Sequence, residues 1–178
     1  MLNKIQRLIP ALSIALTVFA VGLFTQSQLH SYAQAPDIYA STITTDQRVK
    51  ELDCLARNIY FESASEPFEG KVAVAQVTLN RVQSGQFAST ICGVVYQKNV
   101  FYEKIVCQFS WYCSSPSTLK VRSPALYDES MAVAKKVLLE NFRLDGLKTA
   151  MYYHADYVNP GWKKRRVAKI GRHIFYEG

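Results

Sequence analysis

Between Phe68 and Val82 the chain carries Val72, Ala73, Val74, Ala75, Val77, Leu79 and Val82, apolar on nearly every side of a helix, with Ser84 and Gly85 to stop it. A helix without a wet face has to be surrounded by other elements. This segment therefore predicts a layered fold wrapped around one central helix, and the flanking sequence must supply the layers.

On the N-terminal side, Val49, Leu52, Leu55, Ala56, Ile59 and Tyr60 recur at helical spacing after Thr44 and Gln47, which have the pattern of a capping box. That helix is expected to end between Phe61 and Ala64, ahead of Pro67. On the C-terminal side, Ser123 as N-cap and Pro124 at the first helical position open a third helix. Its buried side is Leu126, Tyr127, Met131, Ala134, Val137 and Leu138, and Asp145 with Gly146 is expected to end it. Beyond it, Ala150 to Tyr157 and Arg172 to Tyr176 are short, rich in aromatic or β-branched residues, and separated by Asn159, Pro160 and Gly161. They read as two or three short strands. Helices first and strands last predict an α+β domain, mainly helical, with a small antiparallel sheet formed mostly by the C-terminal part.

A chain of 178 residues has room for one such domain. Its first stretch stands apart: Lys4 and Arg7 precede an uncharged apolar run from Ile9 to Phe24, and small residues follow at Ala33 and Ala35. This is the form of a secretory leader, with cleavage placed after Ala33 because Pro36 disfavours a cut after Ala35. The competing reading is an uncleaved anchor, which would associate the protein with the membrane. The organisation expected is a leader over 1–33, a linker over 34–45 and a domain of catalytic size over 46–178, located outside the cytoplasm. A monomer is expected.

Four cysteines, Cys54, Cys92, Cys107 and Cys113, agree with an oxidising compartment. Three pairings are open; a bridge at Cys107 or Cys113 would pin the segment between them. The formal charge is +7, concentrated toward Lys163 to His173. A basic surface attracts polyanions. No nucleic-acid-binding motif is visible, so anionic wall polymer or membrane is the expected partner rather than nucleic acid.

Glu62 is the leading candidate for chemistry. It lies in the last turn of its helix, where the dipole disfavours a carboxylate, behind the bulky pair Tyr60 and Phe61. Both effects raise its proton affinity, and a carboxyl kept neutral near pH 7 can protonate a leaving glycosidic oxygen. Glu66, with Pro67 after it, is expected to cap the second helix or to line a groove. Gln108, Phe109, Ser110 and Trp111 offer amide, hydroxyl and aromatic groups to a sugar, although Trp111 also suits a core. Strand alternation puts Tyr152, His154 and Asp156 on one face, facing a cleft, and Met151, Tyr153, Ala155 and Tyr157 on the other. His154, Asp156 and His173 are also a zinc-ligand set for a competing reading, an amidase cutting between muramic acid and the peptide. A non-catalytic module that binds its polymer in the same cleft is a third reading. The favoured reading needs no metal or cofactor.

Five blocks in order, LARNIYFESASEPFEGKVAVAQVTLNRV, TICGVVYQ, CQFSWYC, AMYYHADYVNPGW and KIGRHIFY, resemble the SleB/CwlJ cell-wall hydrolase family from about Cys54 to Tyr176. The resemblance implies peptidoglycan as substrate, a fold related to lysozymes and lytic transglycosylases, and Glu62 as the essential acid. Glu62 with Ser63 also resembles the Glu-Ser pair of lytic transglycosylases, in which one residue serves as acid and base. It further implies cleft roles for Gln108, Phe109, Ser110 and Trp111, and glycan or peptide contacts for Tyr152 and His154. The chain departs from the pattern at Ala64, where many relatives have arginine, and at Ser114 and Ser115, where many have Asp-Gly.

Overall fold

A computed structural model describes residues 38–178. The leader and the start of the linker lie outside them. Among the described residues no helix is long and apolar enough to cross a membrane. The segment expected as a linker is in part folded, because α1 (Ile38–Thr42) sets Ala40 into the core, 2% exposed.

α2 (Thr45–Ser63) starts at the capping box read from the sequence: the Thr44 hydroxyl accepts from the Gln47 amide, and the Gln47 side chain accepts from the Thr44 amide. α3 (Phe68–Ser84) is the central helix, closed by Gly85 in the left-handed region. Its two apolar faces go to different partners. Val72, Ala75 and Leu79 pack with the helical cluster of Leu55, Ile59, Val94, Ala134 and Leu138, whereas Ala73 and Val77 pack with Leu147, Ala150 and Phe175 under the sheet. All of these side chains are fully buried. Truncating one as large as Leu79 to alanine costs about 2–5 kcal/mol.

Three polar residues of α3 are buried too, and each finds a backbone partner. Gln76 bonds the Leu144 carbonyl and amide, Asn80 donates to the Leu147 and Ala150 carbonyls, and Arg81 Nε donates to the Met151 carbonyl. Side chains at i, i+4 and i+5 thus clip the segment that leads into the sheet, satisfying carbonyls that would otherwise be buried alone.

α4 (Ile91–Val95) is tied to α2 by the disulfide Cys54–Cys92. A hairpin follows, β1 (Lys98–Phe101) and β2 (Lys104–Cys107), whose turn residues Tyr102 and Glu103 both have positive φ. After it, the disulfide Cys107–Cys113 closes a 3₁₀ turn over Ser110–Cys113.

α5 (Pro124–Leu139) opens on Ser123 and Pro124 as expected, and the Tyr60 hydroxyl accepts from the Arg122 and Ser123 amides to hold its start against α2. It ends earlier than Asp145–Gly146: Glu140 caps it and Asn141 turns the chain at φ 53°. The Asp145–Leu147 segment is a separate 3₁₀ turn.

The C-terminal sheet has three antiparallel strands in the order β3 (Ala150–Ala155), β5 (His173–Glu177), β4 (Arg166–Ile170). A register shift between Ala150 and Tyr152 bulges β3 at Met151. The α+β expectation holds, with one addition: the β1–β2 hairpin forms a second, two-stranded sheet.

Candidate active site

Two large concavities are lined by the described residues. One, about 610 Å³, lies between α3 and α5, and its buried cation Lys71 is neutralised by Glu129 at 2.8 Å. The other, about 690 Å³, runs between the end of α2, the 107–110 segment, β3 and the 158–162 loop, and has a carboxylate in its wall. That carboxylate is Glu62. Convergent polar groups in a partly apolar cleft mark the second concavity as the candidate site.

The last turn of α2 delivers Glu62 to the cleft, and Asn58 one turn earlier fixes what stands opposite. Asn58 is fully buried; it donates to Thr78 on α3 and accepts from the Trp111 indole at 3.0 Å. This bond and the stacking of Trp111 on Phe61, centroids 4.5 Å apart, anchor the Ser110–Cys113 turn to the helix that carries Glu62. Gln108, Phe109 and Ser110 line the cleft. Trp111 does not: it faces a small separate hollow with Arg57, Tyr96, Tyr112 and Leu119. Its indole N–H is spent on Asn58. Ser63 also turns away, donating to the Ile59 carbonyl from a buried position.

From the sheet, Tyr152 and His154 line the cleft as alternation predicts. Asp156, on the same face by alternation, is not among the lining residues and pairs instead with Lys169 at 2.9 Å. The tyrosine assigned to the opposite face, Tyr153, also reaches the cleft, and its hydroxyl donates to Glu62 Oε2 at 2.9 Å. Its ring lies over Phe175 and His173 in the core, so it approaches from beneath. Arg81, which the sequence did not single out, lines the same cleft and is 4% exposed. Its guanidinium lies against the rings of Phe87 and Phe109, at 5.3 and 5.0 Å, and Nη1 is buried with no hydrogen-bond partner.

Burial pushes the Glu62 carboxyl above the ordinary carboxylate value, while the Tyr153 hydroxyl and the Arg81 charge pull it back. Burial lowers Arg81, with Tyr153 and Glu62 opposing, and raises Tyr153. The arrangement is a desolvated carboxyl with one donor and one cation waiting for its anionic form.

Glu66 does not cap α3 but does line a groove, the concavity between α3 and α5. It is buried, accepts from the Arg172 amide at 2.9 Å, and lies against Gly171 in the β4–β5 turn. The zinc-ligand set does not assemble. The His154 nitrogens are committed to the Ala155 carbonyl at 2.8 Å and the Tyr176 hydroxyl at 2.9 Å, which requires Nδ1–H and an accepting Nε2. His173 is buried near Glu66, and among the described residues no three His, Cys, Asp or Glu groups converge to hold a metal.

Residues 65–176 match the Cell Wall Hydrolase family. The chain belongs to that family. Glu62 lies just N-terminal of the matched span. The cell wall hydrolase is 31% identical over 133 residues to the spore cortex-lytic enzyme of Bacillus cereus, covering 70% of this chain and 43% of that one. With the spore cortex-lytic enzyme of Bacillus subtilis it shares 26% identity over 160 residues, 85% of this chain and 46% of the other. The chain therefore spans under half the length of these relatives. Among solved structures it is similar to the catalytic domain of the Bacillus cereus SleB protein, with TM-score 0.53 and 25% identity over 72% of this chain and 91% of that one. It is also similar to the catalytic domain of the germination-specific lytic transglycosylase SleB of Bacillus anthracis, with TM-score 0.54 and 26% identity over 71% and 93%. The likeness spans nearly all of those catalytic domains.

Proposed function

We propose that this cell wall hydrolase cleaves the glycan strand of peptidoglycan between N-acetylmuramic acid and N-acetylglucosamine, as a lytic transglycosylase with Glu62 as its single acid and base. One observation carries the reading: among the described residues lining the cleft, Glu62 is the only carboxylate. Retaining and inverting glycosidases use two carboxyl groups at set separations; a transglycosylase using the sugar's own hydroxyl needs one.

In the proposed reaction the protonated Glu62 gives its proton to the glycosidic oxygen as the bond from that oxygen to muramic acid C1 breaks. The carboxylate so formed is held by the Tyr153 hydroxyl and the Arg81 charge. It then takes the proton of the muramic acid C6 hydroxyl, whose oxygen bonds to C1 and closes a 1,6-anhydro ring. Glu62 ends as it began, protonated, with no water consumed. The description of the similar Bacillus anthracis protein as a lytic transglycosylase supports the same chemistry.

The test is mass spectrometry of muropeptides released from purified peptidoglycan, run beside Glu62→Gln and a chelated sample. Anhydromuramic ends that disappear in Glu62→Gln support the proposal. Reducing ends would mean hydrolysis and a second acid brought by substrate or motion, and free peptides abolished by the chelator would replace the mechanism with an amidase.

A further inference from the structure

Beyond the reacting bond, the cleft ends at the 158–162 loop in a feature that the Glu62 chemistry leaves unused. Trp162 lines the cleft and is 40% exposed. Its indole meets the rings of Tyr152, His154 and Tyr176 edge to face, at 5.9, 5.6 and 5.8 Å with interplanar angles of 67°, 79° and 85°. His154 and Tyr176 are themselves stacked and joined through the His154 Nε2 contact. Three perpendicular neighbours fix the rotamer of Trp162, so a ligand binding to the indole has little side-chain entropy to remove. A fixed, partly exposed aromatic face in a polar-rimmed cleft suits the apolar C–H face of a pyranose ring.

Directly after this platform come four cations in sequence, Lys163, Lys164, Arg165 and Arg166, all exposed. Two of them have defined places. Arg165 is held in a two-pronged pair by Glu177, at 2.5 and 2.8 Å, and so is neutralised. Lys164 lies with its ammonium 3.8 Å from the centre of the ring of Tyr152, a residue that lines the cleft and meets Trp162. Lys163, also exposed, stands between Trp162 and Lys164 in the chain. A neutral sugar polymer has no use for ammonium groups here, whereas a glycan whose stem peptides carry free carboxylates places an anion beside each peptide-bearing sugar.

We infer that Trp162 and the adjacent Lys163 and Lys164 form a substrate clamp that stacks one sugar ring and takes the carboxylates of its stem peptide, selecting peptide-bearing glycan over the bare strand. The inference rests on the proposed glycan-cleaving activity and names the form of substrate that this end of the cleft accepts. Trp162 carries the sugar contact common to both substrates, and the two lysines carry the discrimination.

The experiment compares two soluble substrates with the full chain: glycan strands bearing stem peptides, and the same strands after enzymatic removal of the peptides. The readout is the ratio of kcat/KM on the first to kcat/KM on the second. The wild type is expected to prefer the peptide-bearing strand, and Lys163→Gln/Lys164→Gln to lower the ratio about tenfold, with added salt eroding the wild-type preference in the same direction. Trp162→Ala is expected to raise KM on both substrates by more than it lowers kcat, and Trp162→Phe to recover part of the loss; circular dichroism of each variant separates unfolding from lost contact. A ratio unchanged in the double lysine variant, or a KM unchanged in folded Trp162→Ala, would overturn the clamp while leaving Glu62 in place. Failure of the wild type to cut either strand would instead remove the activity on which the clamp depends.

Discussion

Tyr153 donates its hydroxyl hydrogen to Glu62 Oε2 at 2.9 Å, across 91 residues of sequence, so the base of the cleft is a bond between the last turn of a helix and the bulged strand of the sheet. The same carboxyl feels the charge of Arg81, whose Nε is fixed on the Met151 carbonyl in that bulge. The sheet therefore supplies one of the influences that favour the anionic form of Glu62 and anchors the other, against the burial that opposes them.

Removing either influence lets burial prevail further. In Tyr153→Phe and in Arg81→Met the pKa of Glu62 rises, and because the reaction begins from the protonated acid, the alkaline limb of the kcat/KM profile moves to higher pH. Tyr153→Phe also loses the hydrogen bond to the carboxylate formed during bond cleavage, worth about 1.5–3 kcal/mol, or roughly ten- to a hundredfold in rate. Peptidoglycan turnover measured across pH checks both effects; an alkaline limb that stays in place in both variants would detach them from Glu62.

Stability should respond to Glu62 in the opposite sense from activity. A carboxyl whose pKa is raised by folding holds its proton more tightly in the native state than in the unfolded chain, so its contribution is fully present below the unfolded pKa and is lost as pH rises through the folded one. Glutamine cannot ionise and escapes that loss. Glu62→Gln is expected to unfold at a higher temperature than wild type at neutral pH and at the same temperature near about pH 4, followed by thermal circular dichroism.

Gly171 is required twice over. Its φ of +55° suits glycine in the turn between β4 and β5, and an added Cβ would lie 1.9 Å from Glu66 Oε2, which is fixed on the Arg172 amide. Gly171→Ala is expected to cost about 2 kcal/mol or more, read as a lower urea midpoint.

The two disulfides should separate stability from function. Cys54–Cys92 spans 38 residues and Cys107–Cys113 spans 6, so loop-closure entropy assigns about 4 and about 2 kcal/mol to them. Replacing the first pair with serine is expected to cause the larger fall in urea midpoint. Replacing the second is expected to cause the larger fall in kcat/KM, because it frees Gln108, Phe109 and Ser110 on the cleft wall.

What the sequence disclosed was periodicity and chemistry within single elements. The capping box of α2, the encircled α3, the start of α5 and the position of Glu62 at a helix end all follow from short-range pattern. What it hid depends on how elements meet. Alternation separated Tyr153 from Tyr152 and His154, yet the cleft borders the core as well as the outer face of β3, and a long tyrosine spans the difference. Arg81 stands at the end of an apolar helix, where a lone cation ordinarily meets water or the helix dipole; its burial between Phe87 and Phe109 is a tertiary fact. The β1–β2 hairpin escaped because Tyr102 and Glu103 hold a turn geometry usually signalled by Asn-Gly. The third helix is shorter than its pattern because Asn141 takes the left-handed conformation just past its end, ahead of the Asp-Gly pair that has the chemistry of a terminus.

The backbone clips made by α3 have a temporal consequence. Gln76 waits for Leu144, 68 residues later, and Asn80 waits for Ala150, 70 residues later. At a synthesis rate of about 5–20 residues per second, the central helix is made roughly 3–14 seconds before the carbonyls that satisfy it. Until then its amides and its sheet-facing apolar side have no native partner, and no N-terminal fragment ending before Ala150 can complete the domain. Folding is thus held back until the segment through Ala150 has left the ribosome.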